Sequence, residues 1–220
     1  MIILDKTWLI GSALIRKKET MNLPNKITTF RLICVFIIDA LILIPFETFC
    51  DVPIIPSLNI SLIYLIVLIL FILASFSDFL DGYIARKYNM VTNYGKFMDP
   101  IADKLLVNSL FILLTQYGPL KIPAIIPLVM VARDIIVDVM RMLAMEQGKV
   151  VAANIFGKMK TVTQMVALIF VLLNDWPFSL LNLNFSISII ICYIAMAISL
   201  LSGIIYIINN INLFKEKKDA

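Results

Sequence analysis

The chain has 220 residues, of which 61% are hydrophobic; its mean hydropathy is +0.96 and its formal net charge at pH 7 is +4. A water-soluble domain is about half apolar, so this composition indicates a membrane protein and argues against a soluble one. The sequence has no histidine and its three cysteines are far apart, which excludes the commonest general base, a zinc knuckle and a disulfide framework.

The first 20 residues contain an apolar segment that is too short to span a bilayer. Thr7–Ile15 is flanked by Lys6 and by the basic run of residues 16–18. This pattern is typical of an amphipathic helix that lies in the membrane interface. Alternatively, residues 1–20 are an extension that precedes a start at Met21.

Six transmembrane helices are expected from the long apolar runs that follow. They are Leu32–Phe46, Ile60–Arg86, Pro100–Tyr117, Ile122–Met145, Gly157–Leu173 and Phe185–Ile208. The first and fifth are shorter than the roughly 20 residues that a span needs, and flanking residues extend both of them. The sequence therefore predicts an all-α, polytopic fold: a six-helix transmembrane domain over residues 21–214, followed by a basic tail at 215–220.

The charged residues outside these helices alternate between the two sides of the expected membrane. Cations collect at Lys6–Arg31, Arg86–Lys104, Arg141–Lys160 and Lys215–Lys218. The intervening loops carry Glu47, Asp51, Lys121 and Asp175, with hardly a cation among them. By the positive-inside rule, this distribution predicts an even number of spans with both termini in the cytoplasm.

The second predicted helix ends in a group of polar and small residues on one face. These residues, at positions i, i+3, i+4 and i+7, are Asp78, Asp81, Gly82 and Ala85. Arg86 follows at the cytoplasmic end of the helix. Glycine allows a substrate to approach the backbone closely, and alanine leaves a groove open.

A loop through Gly95 is expected to lead to the third helix. Pro100 favours the first turn of a helix, which makes Asp99 the expected N-cap. Asp103 lies four residues on and shares a face with Asp99. The ends of two helices therefore bring four carboxylates together at the depth of the cytoplasmic headgroups.

Four carboxylates in a partly buried site require protons or cations to balance them. Hard oxygen ligands without His or Cys select Mg²⁺ or Mn²⁺, with Ca²⁺ as an alternative. Two such ions would polarise a diphosphate between them. Taken singly, Asp99 is more often a simple helix cap and Arg86 more often a membrane anchor, so the prediction depends on the whole set.

The complete pattern, D-x-x-D-G-x-x-A-R-x8-G-x3-D-x3-D, resembles the signature of the CDP-alcohol phosphatidyltransferase family. The resemblance implies a six-helix homodimer in the bacterial cell membrane, with its active site at the cytoplasmic face. It also implies Mg²⁺ or Mn²⁺, as two ions, as the cofactor. The metal ligands would be Asp78, Asp81, Asp99 and Asp103. Asp103 would also be the general base.

The same resemblance assigns the pocket for the CDP moiety of the donor, CDP-diacylglycerol. Its residues would be Asn25, Thr28, Gly82, Ala85, Arg86 and Gly95. Asn25 and Thr28 belong to an Asn-x-x-Thr-x-x-Arg pattern that ends at Arg31 and is similar to the first-helix signature of the family. No nucleic-acid partner is expected.

A second set of cations indicates how the acceptor is bound. Arg133 lies within the fourth span, where a charged residue is costly and usually functional. Arg141 follows near the end of that helix, and Lys158 and Lys160 open the fifth. Cations that face an acidic metal site favour an acceptor with its own phosphate group. Alternatively, Arg133 only neutralises a buried carboxylate such as Asp134, and the lysines only anchor a helix end.

Several segments are most similar to the phosphatidylglycerophosphate synthase branch of the family. They are MNLPNKITTFRL, GKFMDPIADKLL, VARD, MEQGKVVAANIFGKMKT and QMVAL. The acceptor of this branch is sn-glycerol 3-phosphate, and Asp134 departs from its usual glutamate. The alternatives are a family member with another headgroup, a membrane prenyltransferase, or an ion transporter that uses intramembrane carboxylates.

Overall fold

The computed structural model describes residues 22–49, 51–56, 58–88, 92–147, 155–181 and 183–211. The side chains of Asp81, Ala85 and Arg86 are outside the described part, although their backbone belongs to a helix. The expected N-terminal extension or interfacial helix (1–20) and the basic tail (215–220) are also outside it.

Within the described residues the protein is almost entirely helical, as the composition predicts. The six long helices are α1 (Leu23–Leu43), α2 (Leu62–Lys87), α3 (Asn93–Tyr117), α4 (Ile125–Glu146), α5 (Ile155–Leu172) and α6 (Ile187–Asn209). Two short 3₁₀ helices, Phe46–Thr48 and Phe178–Leu181, lie in the connections. A small antiparallel hairpin of β1 (Ile54–Ile55) and β2 (Ile60–Ser61) precedes α2, an addition to the all-α prediction.

The prediction that Asp99 caps the third helix is wrong. α3 begins at Asn93, and its N-cap is Thr92, whose Oγ1 accepts a hydrogen bond from the backbone N–H of Gly95 at 3.0 Å. Gly95 therefore lies in the first turn of α3 and not in a loop, and Pro100 lies inside the helix. The Thr92 cap satisfies the helix start, so the proline preference for a first turn is overridden.

A single large apolar core joins five of the helices with the start of α4. Its fully buried side chains include Ile38 of α1, Phe71 of α2, Leu110 of α3 and Leu168 of α5. α1 packs against α2 and α3, whereas α6 packs against α4 and α5. These two sets of contacts leave space between α3, α4 and α5.

The outer surface is also strongly apolar, as expected for helices that face lipid. Large hydrophobic side chains such as Phe36, Phe79, Leu128 and Ile194 are more than half exposed. In the part of the chain that the structure describes, three helices are long and apolar enough to cross a membrane: α2 over Leu62–Ile84, α5 and α6. α1, α3 and α4 each carry more charged residues than the three apolar spans, and most of those charged residues belong to the candidate site.

Candidate active site

The Asn-x-x-Thr-x-x-Arg pattern forms a polar seam between α1 and α3. Its first member, Asn25, is buried, and its Oδ1 accepts a hydrogen bond from Thr92 Oγ1 at 2.6 Å. The seam therefore begins at the cap of α3. A Cβ added to the buried Gly95 would lie 3.4 Å from Asn25 Oδ1 and 3.6 Å from Asp99 Oδ2. Glycine at this position keeps the space beside Asp99 open.

The next two members of the pattern contact the two aspartates of α3. Thr28 Oγ1 lies 2.7 Å from Asp99 Oδ1, to which it donates, with the Pro24 carbonyl as an alternative acceptor at 3.1 Å. Arg31 Nη1 lies 3.4 Å from Asp103 Oδ1. Thr28 and Arg31 are three residues apart on α1, and their partners on α3 are four residues apart. Both spacings correspond to about one helical turn, so each aspartate contacts one polar residue of α1.

Arg31 also joins this seam to α2. Its Nη1 lies 2.5 Å from Asp78 Oδ1, and its side chain is fully buried. The side chains of Asp78 and Asp103 are 35% and 41% exposed. The guanidinium therefore lies on the inner side of the two carboxylates, which reach outward toward the solvent.

The oxygen atoms of this acidic cluster are chemically suited to Mg²⁺ or Mn²⁺. Asp78 and Asp103 contact the same nitrogen atom, so their carboxylates are close together, and Asp99 lies one turn before Asp103. Asp81 follows Asp78 by nearly one turn on α2, with its side chain outside the described part. Among the described side chains alone, no three acidic, cysteine or histidine residues converge on one point.

A cavity of about 860 Å³ lies between α3, α4 and α5 and is lined by two of the predicted metal ligands and by the three predicted acceptor residues. Asp78, Asn25, Thr28, Gly82 and Gly95 are not among its lining residues. Asp99 and Asp103 line one part of it. The predicted acceptor residues Arg133, Arg141 and Lys158 line another. The fold therefore brings two of the predicted metal ligands and the three predicted acceptor residues around one space.

The cations of the cavity surround a buried carboxylate. Asp134 is paired with Arg133, at 2.9 Å between Arg133 Nη1 and Asp134 Oδ1, and with Lys160. Arg133 Nη2 donates a second hydrogen bond to Ser202 Oγ of α6 at 2.8 Å. Arg133 thus forms the ion pair with Asp134 that the sequence suggested as its alternative role. The side chain of Arg133 also lines the cavity.

Three further charged side chains complete the basic part of the cavity. Lys104 of α3 forms an ion pair with Asp138 of α4, and both side chains are more than one third exposed. Arg141 lies over the ring of Tyr206, 5.8 Å from its centroid. Lys158 is exposed at the start of α5. Arg141 and Lys158 are thus exposed, Lys104 is partly exposed and paired with Asp138, and Lys160 is buried.

Sequence reasoning missed several residues that build the site. Arg31 was part of a recognised pattern, but it was not assigned to the carboxylates. Ser202 and Gly203 of α6 were not assigned either, although both are buried against α4. A Cβ at Gly203 would lie 2.7 Å from Arg133 Cγ, so only glycine leaves room for the Arg133 stem. In the sequence, this contact is indicated only by the adjacent polar and small residues, Ser202 and Gly203, within an otherwise apolar helix.

Comparison with known proteins shows to which family the sequence is related. Residues 21–204 match the sequence model of the family described as CDP-alcohol phosphatidyltransferase. A CDP-diacylglycerol–glycerol-3-phosphate 3-phosphatidyltransferase of Bacillus subtilis (strain 168) is 42% identical over 165 residues, which are 75% of this chain and 83% of that protein.

Two further relatives carry the same name. The protein of Rickettsia typhi (strain Wilmington) is 36% identical over 187 residues, 84% of this chain and 94% of the relative. The protein of Mycoplasma genitalium is 47% identical over 114 residues, which are 52% of this chain and 47% of the relative. The matches to the Bacillus and Rickettsia proteins each cover most of this chain and most of the relative.

Proposed function

The chain belongs to the CDP-alcohol phosphatidyltransferase family, and we propose that it transfers the phosphatidyl group of CDP-diacylglycerol to sn-glycerol 3-phosphate. The products are phosphatidylglycerophosphate and CMP. The observation that carries this proposal is the single cavity that combines Asp99 and Asp103 with Arg133, Arg141 and Lys158. Relatives that match most of the chain are named for the same reaction.

The acidic part of the cavity is assigned to the donor. Asp78, Asp81, Asp99 and Asp103 would hold the divalent ions, and the described members supply hard oxygen ligands. When bound, such ions neutralise the charge of the donor diphosphate. The CDP pocket is assigned to Asn25, Thr28, Gly82, Ala85, Arg86 and Gly95. Two contacts with α3 support this assignment: Thr28 donates a hydrogen bond to Asp99, and Asn25 accepts one from Thr92 at the start of the same helix.

The basic part of the cavity is assigned to the acceptor. Arg141 and Lys158 are accessible, and Arg133 lies beside them with its guanidinium oriented by Asp134 and Ser202. Charge-assisted hydrogen bonds from these cations hold the phosphate of glycerol 3-phosphate. Fixing the phosphate positions the attacking hydroxyl.

Asp103 is the proposed general base. It lies on α3 in the wall of the cavity that also contains the acceptor cations. Its carboxylate takes the proton of the glycerol phosphate hydroxyl as that oxygen forms a bond to the lipid-linked phosphorus. The bond from this phosphorus to the CMP oxygen breaks, and CMP leaves. One phosphoester bond replaces one diphosphate bond.

The proposed topology has six spans, with both termini and the active site on the cytoplasmic side of the cell membrane. The three strongly apolar helices and the exposed hydrophobic surface support membrane insertion. Single cysteines in a background without Cys34, Cys50 and Cys192, labelled from either side, would test the six-span assignment. The homodimer implied by the resemblance stays a prediction, which crosslinking in membranes would test.

The proposed reaction is tested by CMP release from purified protein in detergent with CDP-diacylglycerol and Mg²⁺. The acceptors compared are glycerol 3-phosphate, phosphatidylglycerol, inositol phosphate and serine. Release that depends on glycerol 3-phosphate is the expected result. Release with another acceptor would retain the donor site but contradict the role of Arg133, Arg141 and Lys158. No release with any acceptor, from folded protein, would contradict the proposal as a whole.

A further inference from the structure

Arg31 is the one fully buried charged side chain among those that the structure describes. It comes from α1 and contacts a carboxylate on each of two other helices, Asp78 of α2 and Asp103 of α3. A buried cation is stable only when it is paired, and two carboxylates that approach each other repel unless a cation lies between them. Arg31 satisfies both conditions at once.

The geometry distinguishes the inner and outer sides of this cluster. The guanidinium has no exposed surface, whereas more than a third of each carboxylate is exposed. A divalent ion would therefore reach Asp78 and Asp103 from the outer side, opposite Arg31. Because the arginine cannot be deprotonated in a protein, its charge remains in place whether or not an ion is bound.

We propose that Arg31 is a positioning residue of the metal site. Its guanidinium holds the carboxylates of Asp78 and Asp103 together before a divalent ion binds, and its fixed charge limits how tightly the site then holds that ion. This inference rests on the proposed function, since it assumes that the acidic cluster is a metal site. It assigns to the last residue of the first-helix pattern a task that the pattern alone does not reveal.

The alternative is that Arg31 only fastens three helices together. In that case its removal would destabilise the protein equally with and without metal. If Arg31 is instead the counter-ion of the cluster, its removal leaves excess negative charge that a divalent ion compensates. The loss of a positive charge a few ångströms from the ion should strengthen binding by at least about tenfold, which outweighs the cost of ordering two short side chains.

The experiment compares Arg31→Gln with wild type and with Ile38→Ala, using full-length protein in detergent. Ile38 is a core residue of the same helix, 1% exposed, and its truncation leaves a cavity without changing any charge. Two quantities are measured: the Kd for Mn²⁺ by electron paramagnetic resonance, and the Tm in EDTA and in saturating Mn²⁺.

For Arg31→Gln we expect a Kd at least about tenfold lower than in wild type and a larger rise in Tm on adding Mn²⁺. Ile38→Ala should lower both Tm values and leave the Kd and the Mn²⁺-induced rise unchanged. Arg31→Lys retains the charge and should remain within about threefold of the wild-type Kd. If Arg31→Gln is unfolded in EDTA, Mn²⁺ should restore its folded state.

An Arg31→Gln protein with the wild-type Kd, or one that Mn²⁺ does not refold, would overturn the inference while leaving the proposed reaction intact. The same holds if Arg31→Lys and Arg31→Gln change the Kd equally. A wild-type protein that binds no Mn²⁺ would contradict the metal site itself, and with it both this inference and the donor part of the proposed function.

Discussion

The acidic cluster and the basic part of the cavity each have a buried residue of opposite charge at their centre, Arg31 and Asp134, but the two arrangements differ in exposure. Arg31 is fully buried, whereas its partners Asp78 and Asp103 are 35% and 41% exposed. At the basic end, Asp134 and Lys160 are buried and Arg133 is largely shielded, with side chains 6%, 10% and 12% exposed, respectively. At the acidic end the carboxylates are partly exposed. At the basic end the charged groups of Asp134, Arg133 and Lys160 are largely shielded from solvent.

This difference indicates two modes of ligand binding. Carboxylates that are fixed from the inner side and exposed on the outer side can bind a cation without breaking an internal ion pair. A phosphate at the basic end meets the accessible Arg141 and Lys158 first, while Asp134 keeps Arg133 and Lys160 fixed. In the proposed reaction, Asp134 would therefore hold the acceptor cations in place, and Arg31 would hold the carboxylates of the donor site in place.

The largest expected effect breaks the acidic end alone. Asp103→Asn retains the size of the side chain but cannot accept a proton at neutral pH, so kcat should fall by roughly 10²–10⁴-fold. The KM for glycerol 3-phosphate should change little, because the basic end is intact. Steady-state CMP release measures both quantities.

Asp39→Asn is the matched control for this substitution. Asp39 also belongs to the α1–α3 interface, where it accepts a hydrogen bond from Ser109 Oγ at 2.9 Å, but it does not line the cavity. Its kcat should be close to that of wild type. Near-normal turnover by Asp103→Asn, or an equal loss in both variants, would contradict the assignment of the base.

Removing the central carboxylate of the basic end should have the next largest effect. Asp134→Asn leaves the charges of Arg133 and Lys160 buried without compensation, which costs about 3–5 kcal/mol of stability. Asp138→Asn removes the partner of Lys104 in a pair that is more than one third exposed, so the expected loss is only about 0–1 kcal/mol. The free energies of unfolding of both variants, measured in the same detergent, give the difference. Equal losses of stability would show that the buried ion pairs of Asp134 contribute no more than the exposed pair of Asp138.

A smaller effect is expected when the stem of Arg133 is displaced without any change of charge. Gly203→Ala introduces a Cβ that would lie 2.7 Å from Arg133 Cγ, so the arginine or α6 must shift. A strain of about 1–2 kcal/mol at this contact should raise the KM for glycerol 3-phosphate by roughly tenfold. The KM for CDP-diacylglycerol should stay unchanged.

Gly157→Ala is the control for the added methyl group, since a Cβ there meets no atom within 4 Å. Both KM values should be unchanged in this variant. A Gly203→Ala protein with normal KM for the acceptor would show that the position of Arg133 does not matter for acceptor binding.

The sequence predicted the long helices well, because runs of apolar residues are a local pattern. Its assignment of the site residues remains a prediction. Apolar runs identified all six long helices, and the spacing of Asp99 and Asp103 placed them on one face. The start of α3 was misplaced, because Pro100 was interpreted by its preference for a first turn, whereas the Thr92 cap lies eight residues earlier. The six-span topology remains a prediction, since three helices meet the requirements of length and hydropathy.

The contacts between distant residues could not be predicted, because they depend on how the helices pack. Nothing in the sequence links Arg31 to Asp78, 47 positions away, or Arg133 to Ser202 of α6. A glycine such as Gly203 becomes informative only once the side chain that packs against it is known. Local spacing thus revealed which residue types form the site, and tertiary structure showed which of them hold the others in place.

The most direct test of the two-ended cavity is the preference for a phosphorylated acceptor. We would measure kcat/KM for glycerol 3-phosphate and for glycerol in wild type, Arg141→Ala and Lys158→Ala, at several Mg²⁺ concentrations. Each lost charge-assisted hydrogen bond should lower the ratio of the two values by about 10- to 100-fold, with the Mg²⁺ requirement unchanged. The division of the cavity into a donor end and an acceptor end would be contradicted if this ratio stayed unaltered. It would also be contradicted if the substitutions changed the Mg²⁺ requirement instead of the ratio.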